Sequence, residues 1–181
     1  MGENVLASTT VYRGRIFNVR VDTVTFPDGR TGTREIVEYP GAVVVVALDD
    51  AEQVLLVRQY RHAVGRELLE LPAGKLEPGE DPLACARREL AEETGYAARE
   101  WQFLLDYYST PGFTTEKMFL YRAAGLESTG PAPDSDEFIQ VVKVPLRRAL
   151  EMVAAGEICD AKSIVGLLVV GTGLKGPRRP A

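Results

Sequence analysis

The sequence is short of the residues that several kinds of chemistry require. It has two cysteines, Cys85 and Cys159, and one histidine, His62, in 181 residues. Neither a disulfide framework nor a zinc site of familiar spacing can be assembled from these. It has no basic excess: 21 Lys and Arg stand against 26 Asp and Glu, a formal charge of -5. Without a cationic footprint, neither nucleic acid nor an anionic membrane is an expected partner. A phosphorylated small molecule stays open, because a bound divalent cation inverts the local sign. The longest apolar runs, residues 42–48 and 164–170, are far below the roughly 20 residues that cross a bilayer. No Gly-x-x-x-x-Gly-Lys-Ser/Thr loop is present, which excludes the kinase and ATPase chemistry built on that phosphate cradle. The opening MGENVLASTT has neither a basic n-region nor an apolar h-region, and a cytoplasmic location is expected.

What the chain does have is 45% hydrophobic and 26% charged residues, the balance of a globular domain that folds without a staple. Residues 16–24 alternate, with Phe17, Val19, Val21 and Thr23 on one side. Asp28-Gly29 then supplies a hairpin turn into a second strand over 31–39. Such a ribbon holds little core of its own and is expected to lie on the main domain or on a second subunit. Residues 42–48 are continuously apolar and β-branched, the pattern of a strand buried on both faces. Another strand is expected over 53–60. Residues 65–80, punctuated by Gly65, Pro72, Gly74, Pro78 and Gly79, read as mostly loop. Asp81-Pro82 opens a helix that runs to Thr94 and stops at Gly95. Strands are expected over 101–108, 117–124 and 137–144, and helices over 145–155 and from the Asp160 cap to about Val170. The architecture is therefore α/β, an α+β mixed sheet between helices. An N-terminal antiparallel β ribbon (1–41) precedes a main domain (42–175) and a flexible tail (176–181).

The helix over 82–94 carries the unusual chemistry. At 100° per residue, Glu89, Glu92 and Glu93 fall within about 100° of arc, beside a core-facing stripe of Leu83, Ala86 and Leu90. Carboxylates at these spacings repel one another by about a few tenths of a kcal/mol per pair. They also lie toward the helix C-terminus, where the dipole disfavours anions. Hard divalent cations would remove both penalties, and Mg²⁺ favours one or two carboxylates with waters and substrate phosphates. The plainer alternative is a solvated acidic face, with Arg88 compensating Glu92 four residues on.

The loop before the helix decides between them. Gly74-Lys-Leu-Glu-Pro-Gly-Glu80, seven residues, then Arg88-Glu89-Leu90-Ala91-Glu92-Glu93-Thr94-Gly95-Tyr96 resembles the signature box of the Nudix hydrolases, GX5EX7REUXEEXGU. Every fixed position is filled, and Tyr96 at the last bulky position is the one departure. The resemblance implies a Nudix fold and hydrolysis of a nucleoside diphosphate linked to another moiety. Two or three Mg²⁺ ions per site, with Mn²⁺ as a substitute, are expected to assist. By the family pattern, Glu89 and Glu93 are the main metal ligands, with Glu92 and the Ala73 carbonyl completing or bridging the cluster. Arg88 orients the glutamates, Gly74 and Gly95 carry backbone geometry, and Glu80 is a helper rather than a ligand.

The box says nothing of the leaving moiety. Sixteen residues beyond Gly95 stands Pro111, in Ser109-Thr-Pro-Gly-Phe-Thr-Thr-Glu116, and this Pro-Gly-x-x-x-Glu pattern resembles the ADP-ribose pyrophosphatase subgroup. So does the N-terminal ribbon with Tyr12-Arg-Gly-Arg-Ile-Phe17. The implied reaction is cleavage of ADP-ribose to AMP and ribose 5-phosphate by a homodimer that exchanges its ribbons. Adenine would stack on Phe17, with Arg15 or Arg20 near phosphate or base and Pro111-Gly112 at the substrate loop. Glu137 is the expected general base, chosen over Asp134 and Asp136, and Glu116 is the reserve. Alternatives are another sugar nucleotide or dinucleotide (GDP-mannose, NADH, a diadenosine polyphosphate), or a non-catalytic nucleotide-sensing module.

Overall fold

The computed structural model describes residues 2–130 and 139–174. The chain divides into two compact units: Met1–Gly41 with Tyr108–Lys117, and Ala42–Tyr107 with Met118–Ala181.

The first unit is an antiparallel meander of β1 (Asn4–Arg13), β2 (Asn18–Thr25) and β3 (Thr31–Glu38). Its second turn closes where Phe26 N donates to Arg30 O at 2.8 Å and Gly29, at φ +85°, donates to Phe26 O at 2.9 Å. Strand β1 was not legible in the sequence, because Asn4–Arg13 has no sustained alternation and is held by its pairing with β2. The expected inner face of β2 also differs. Asp22 and Val24 are the buried positions, while Val19, Val21 and Thr23 are half-buried. Asp22 tolerates burial because Arg20 Nε donates to its Oδ2 at 3.1 Å. Residues 108–117 attach to the end of β3, where Val37 N donates to Phe113 O at 2.7 Å and Thr115 N to Val37 O at 3.0 Å.

The second unit has two sheets. One has the order β7-β4-β9-β8, from β7 (Ala73–Lys75), β4 (Ala42–Ala47), β9 (Lys117–Ser128) and β8 (Tyr96–Tyr108). The other is β10-β5-β6, from β10 (Gln140–Pro145), β5 (Gln53–Arg61) and β6 (Arg66–Glu70). Strand β4 runs parallel to β9 and is buried throughout, as a parallel strand covered on both faces must be. Its side chains alternate between two cores. Val43, Val45 and Ala47 pack with Cys85, Ala86 and Leu90 of α1 (Pro82–Thr94). Val44 and Val46 pack with Ala149 of α2 (Leu146–Ala154) and with Leu167 and Val169 of α3 (Ala161–Gly171). The mixed α/β architecture with an N-terminal antiparallel sheet is thus the one the sequence leads to.

Residues 65–80 are not mostly loop. Residues 66–70 pair with β5 and 73–75 with β4, so partner strands supply what local Gly and Pro content withholds. Pro72 sits between them, its carbonyl accepting from Val45 N at 2.9 Å. Strand β8 likewise begins at Tyr96, directly after the helix, rather than at Trp101.

Candidate functional site

Helix α1 is fixed at both ends by its own sequence. The Asp81 side chain accepts from Leu83 N at 2.9 Å and Ala84 N at 3.1 Å. Gly95, at φ +69°, donates to Ala91 O at 2.9 Å. With Cys85, Ala86 and Leu90 turned into the core, the next arc of the helix meets β7, and this is where Glu89 and Glu93 fall. Glu93 is 8% exposed, and its Oε2 accepts from Ala73 N at 3.0 Å. The carboxyl of Glu89 lies against Gly74, where a Cβ would stand only 1.8 Å from its carboxyl carbon. Glycine at 74 is therefore a steric requirement of Glu89.

Arg88 gathers the remaining carboxylates. Its Nε and Nη2 donate to Glu80 at 3.0 and 3.1 Å, and its Nη1 donates to Glu89 at 2.8 Å and to the exposed Glu92 at 3.0 Å. A guanidinium fork suits this bidentate task. The Arg88 hydrogen bonds and the Glu77 N–H hold Glu80 down at about 2, so it stays ionised and keeps Arg88 in place. Burial pushes Glu89 up, against the opposing pull of Arg88. Burial also pushes Glu93 up to about 8; the hydrogen bond from Ala73 opposes this shift and the neighbouring Glu89 charge adds to it. Glu93, short of positive charge, and Glu89, which shares Arg88 with two other glutamates, form with the strand beside them an all-oxygen donor set that fits a hard divalent cation. Among the described residues, no three or more His, Cys, Asp or Glu side chains are gathered into a metal cluster. The fit is to a cation that takes one or two carboxylates and completes its shell elsewhere.

The other residues singled out in the sequence belong to the first unit or lie outside the described residues. Phe17 and Arg15 are exposed and line an open pocket of about 180 Å³ with Tyr12, Gly14 and Ile16. The Phe17 ring lies 5.8 Å from that of Tyr12. Arg20 is engaged by Asp22 and Glu38, the latter at 2.6 Å. Pro111 and Gly112 are exposed in the segment joined to β3, and Glu116 is half-buried, its carbonyl accepting from Ser109 N at 3.2 Å. Glu137, with Asp134 and Asp136, lies outside the described residues. Sequence reasoning passed over Arg61, Glu70, Lys162 and Ser163. Glu70 is 1% exposed, and the only sequence signal for it was a charged residue beside the apolar Leu68-Leu69 pair.

A family model described as NUDIX domain matches residues 38–163, and one described as nucleoside diphosphate sugar hydrolase N-terminal domain matches residues 3–37. The chain is 42% identical over 179 residues to an ADP-ribose pyrophosphatase of Mycobacterium tuberculosis, covering 96% of this chain and 86% of that protein. It is 38% identical over 167 residues to a methanol dehydrogenase activator of Bacillus methanolicus, covering 91% and 90%. A crystal structure of an ADP compounds hydrolase superposes with a TM-score of 0.86 at 26% identity, over 96% of this chain and 95% of that one.

Proposed function

The chain belongs to the NUDIX family and is closely related to bacterial ADP-ribose pyrophosphatases, and from that premise we propose that it hydrolyses ADP-ribose to AMP and ribose 5-phosphate. At the coarser level it is a Nudix-type hydrolase acting on a nucleoside-diphosphate-linked moiety. The observation that carries the finer reading is the likeness to an ADP-ribose pyrophosphatase over 96% of the chain, ribbon included.

Glu89 and Glu93 would hold the divalent cations, two or three per site in this reading, with Glu92 and the Ala73 carbonyl completing the cluster. The chemistry such ions would supply when bound is neutralisation of diphosphate charge and a water of lowered pKa. The protein's own part is placement. Arg88, locked by Glu80, keeps Glu89 and Glu92 in fixed rotamers, and Ala73 N orients Glu93. The water's proton is assigned to Glu137, with Glu116 in reserve, because the helix glutamates are committed to the cation and to Arg88 and make poor bases. Glu137→Gln should then lower kcat by roughly 10²–10⁴-fold with little change in KM. Retention of kcat there together with its loss in Glu116→Gln moves the role to Glu116.

A homodimer is part of the same reading. Val5, Leu6, Val11 and Ile16 of the first unit are all at least 59% exposed, an apolar surface that a second copy of the ribbon would cover. Sedimentation should give a mass near twice 19.8 kDa; a fully active monomer at micromolar concentration refutes this part.

Phosphatase-coupled phosphate release, with Mg²⁺ and with Mn²⁺, tests the substrate. ADP-ribose should show the highest kcat/KM in a panel with GDP-mannose, NADH and a diadenosine polyphosphate. A rival turned over more than about tenfold better replaces ADP-ribose, a difference of about 1.4 kcal/mol in the barrier. No turnover of any of the four favours the nucleotide-sensing alternative.

A further inference from the structure

We propose that the first turn of α3 is a positioning element for the metal-binding carboxylates, acting through the backbone of residues 70–73; this rests on the reading of Glu93 and Ala73 as part of a cation site.

Four successive residues, from the last of β6 to the first of β7, are fastened, each by a different group. Lys162 Nζ donates to Glu70 Oε2 at 2.7 Å, and Arg61 Nη2 donates to the same oxygen at 2.5 Å. Leu71 N donates to Ser163 Oγ at 2.7 Å. Pro72 O accepts from Val45 N at 2.9 Å. Ala73 N donates to Glu93 Oε2 at 3.0 Å. Two of these fasteners, Lys162 and Ser163, come from adjacent residues at the start of α3, and nothing in helix formation requires them to point at this strand.

The helix is seated for the purpose. Asp160 caps it, accepting from Lys162 N at 3.2 Å and Ser163 N at 3.3 Å, and it also takes the Lys162 ammonium at 2.8 Å. One turn on, Gly166 lies so close to the same connection that a Cβ there would stand 2.5 Å from Leu71 Cδ1 and 3.1 Å from Val46 Cγ2. Ser163 is fully buried, with a relative exposure of 0%. Its hydroxyl answers a backbone N–H for which water is out of reach, since Leu71 is also 0% exposed. Core packing alone would be served by alanine at 163. A hydroxyl there fixes the height of residues 70–73 against α3, and so the position of the Ala73 N–H that orients Glu93. Groups that orient metal ligands in this way affect metal affinity even though they never touch the metal.

The test uses the full-length protein and Mn²⁺ as the probe. Mn²⁺ affinity is measured directly, by the loss of the free-ion paramagnetic resonance signal, alongside the Mg²⁺ concentration for half-maximal activity, the KM at saturating Mg²⁺, and the melting temperature. Ser163→Ala should weaken Mn²⁺ binding about 10-fold or more and raise the half-activating Mg²⁺ concentration by the same factor. The KM at saturating Mg²⁺ should change less than about twofold, since no substrate contact is lost. Ser163→Thr, which keeps the hydroxyl, should restore Mn²⁺ affinity. Lys162→Met releases Glu70 from the same turn and should weaken Mn²⁺ binding in the same direction, which keeps the test decisive if Ser163→Ala does not fold. A lowered melting temperature with Mn²⁺ affinity unchanged in every folded variant overturns the proposal and makes the turn a packing feature. Glu93→Gln separates the two readings. If it loses Mn²⁺ while Ser163→Ala and Lys162→Met do not, only the positioning role fails; if it binds Mn²⁺ normally, the cation site itself is wrong.

Discussion

Glu70 and Glu93 are buried glutamates of the same unit, 1% and 8% exposed, and their charges meet opposite surroundings. Burial alone would raise both. At Glu70 the hydrogen bonds and charges of Arg61 and Lys162 outweigh it and hold the carboxyl below its ordinary range. At Glu93 the single N–H of Ala73 and the more distant Arg61 and Lys162 do not suffice, and the nearby Glu89 adds repulsion. The neighbourhood of Glu70 is thus complete and acts as a rivet between β5, β6 and α3. The neighbourhood of Glu93 is short of positive charge. That shortage separates Glu93 from the finished ion pair at Glu70, and on the proposed reading it is what a bound cation would relieve.

The largest effect expected from breaking this contrast is on catalysis. Glu93→Gln should lower kcat by roughly 10³-fold, a loss on the scale of removing a key electrostatic group. Its circular dichroism and melting temperature without metal should match or exceed wild type, because the cost of burying an ionisable carboxyl there has gone. Near-wild-type turnover at saturating Mg²⁺ would remove the cation site from the face of α1. Glu70→Ala should act chiefly on stability, with cation affinity lowered only in the direction expected for Lys162→Met. It removes the carboxylate that Arg61 and Lys162 share, leaving Lys162 its ion pair with Asp160, and urea unfolding should report a loss of about 2–3 kcal/mol, discounted for the partly exposed Arg61.

Gly74→Ala sharpens the comparison by steric means. The new Cβ occupies the space of the Glu89 carboxyl, so activity should fall about 10–100-fold while Glu70 is untouched. Unchanged kcat/KM in that variant would mean that Glu89 works from another rotamer.

The two glutamates should also give stability slopes of opposite sign in metal-free protein. Glu70 has a depressed pKa, so its contribution is present above its unfolded value, which lies near 4.5, and is lost as pH falls through the folded value. Glu93 is raised to about 8, so its penalty grows as pH rises from about 4.5 toward 8. Glu93→Gln should flatten the upper slope and Glu70→Gln the lower one, as read from melting temperature against pH. The smallest effect is at the helix start. Asp81→Ala removes a cap worth about 1 kcal/mol, and kcat should stay within twofold, since the carboxylates lie two to three turns away.

Much of the site was legible because it is local. Gly74, Glu80, Arg88, Glu89, Glu92 and Glu93 are spaced along one short stretch of strand, loop and helix, and helical periodicity alone puts the last three on one arc. Asp81, Pro82 and Gly95 mark the helix ends through effects that act within one turn. Strands β6 and β7 were not legible, because Arg66–Glu70 and Ala73–Lys75 become strands only by pairing with β5 and β4. Strand β1 was missed for the same reason.

By itself, then, the sequence determined the mixed α/β class, the both-faces-buried strand at residues 42–47, the capped acidic helix and the identity of its carboxylates. These follow from periodicity, caps and spacing, which are properties of residues a few positions apart. The tertiary structure decided which carboxylates are neutralised and which are left short of charge. Lys162 meets Glu70 across 92 residues, Ser163 meets Leu71 across another 92, and Ala73 meets Glu93 across 20. A carboxylate's charge state depends on desolvation and on partners within a few ångströms, and only folding brings those partners there.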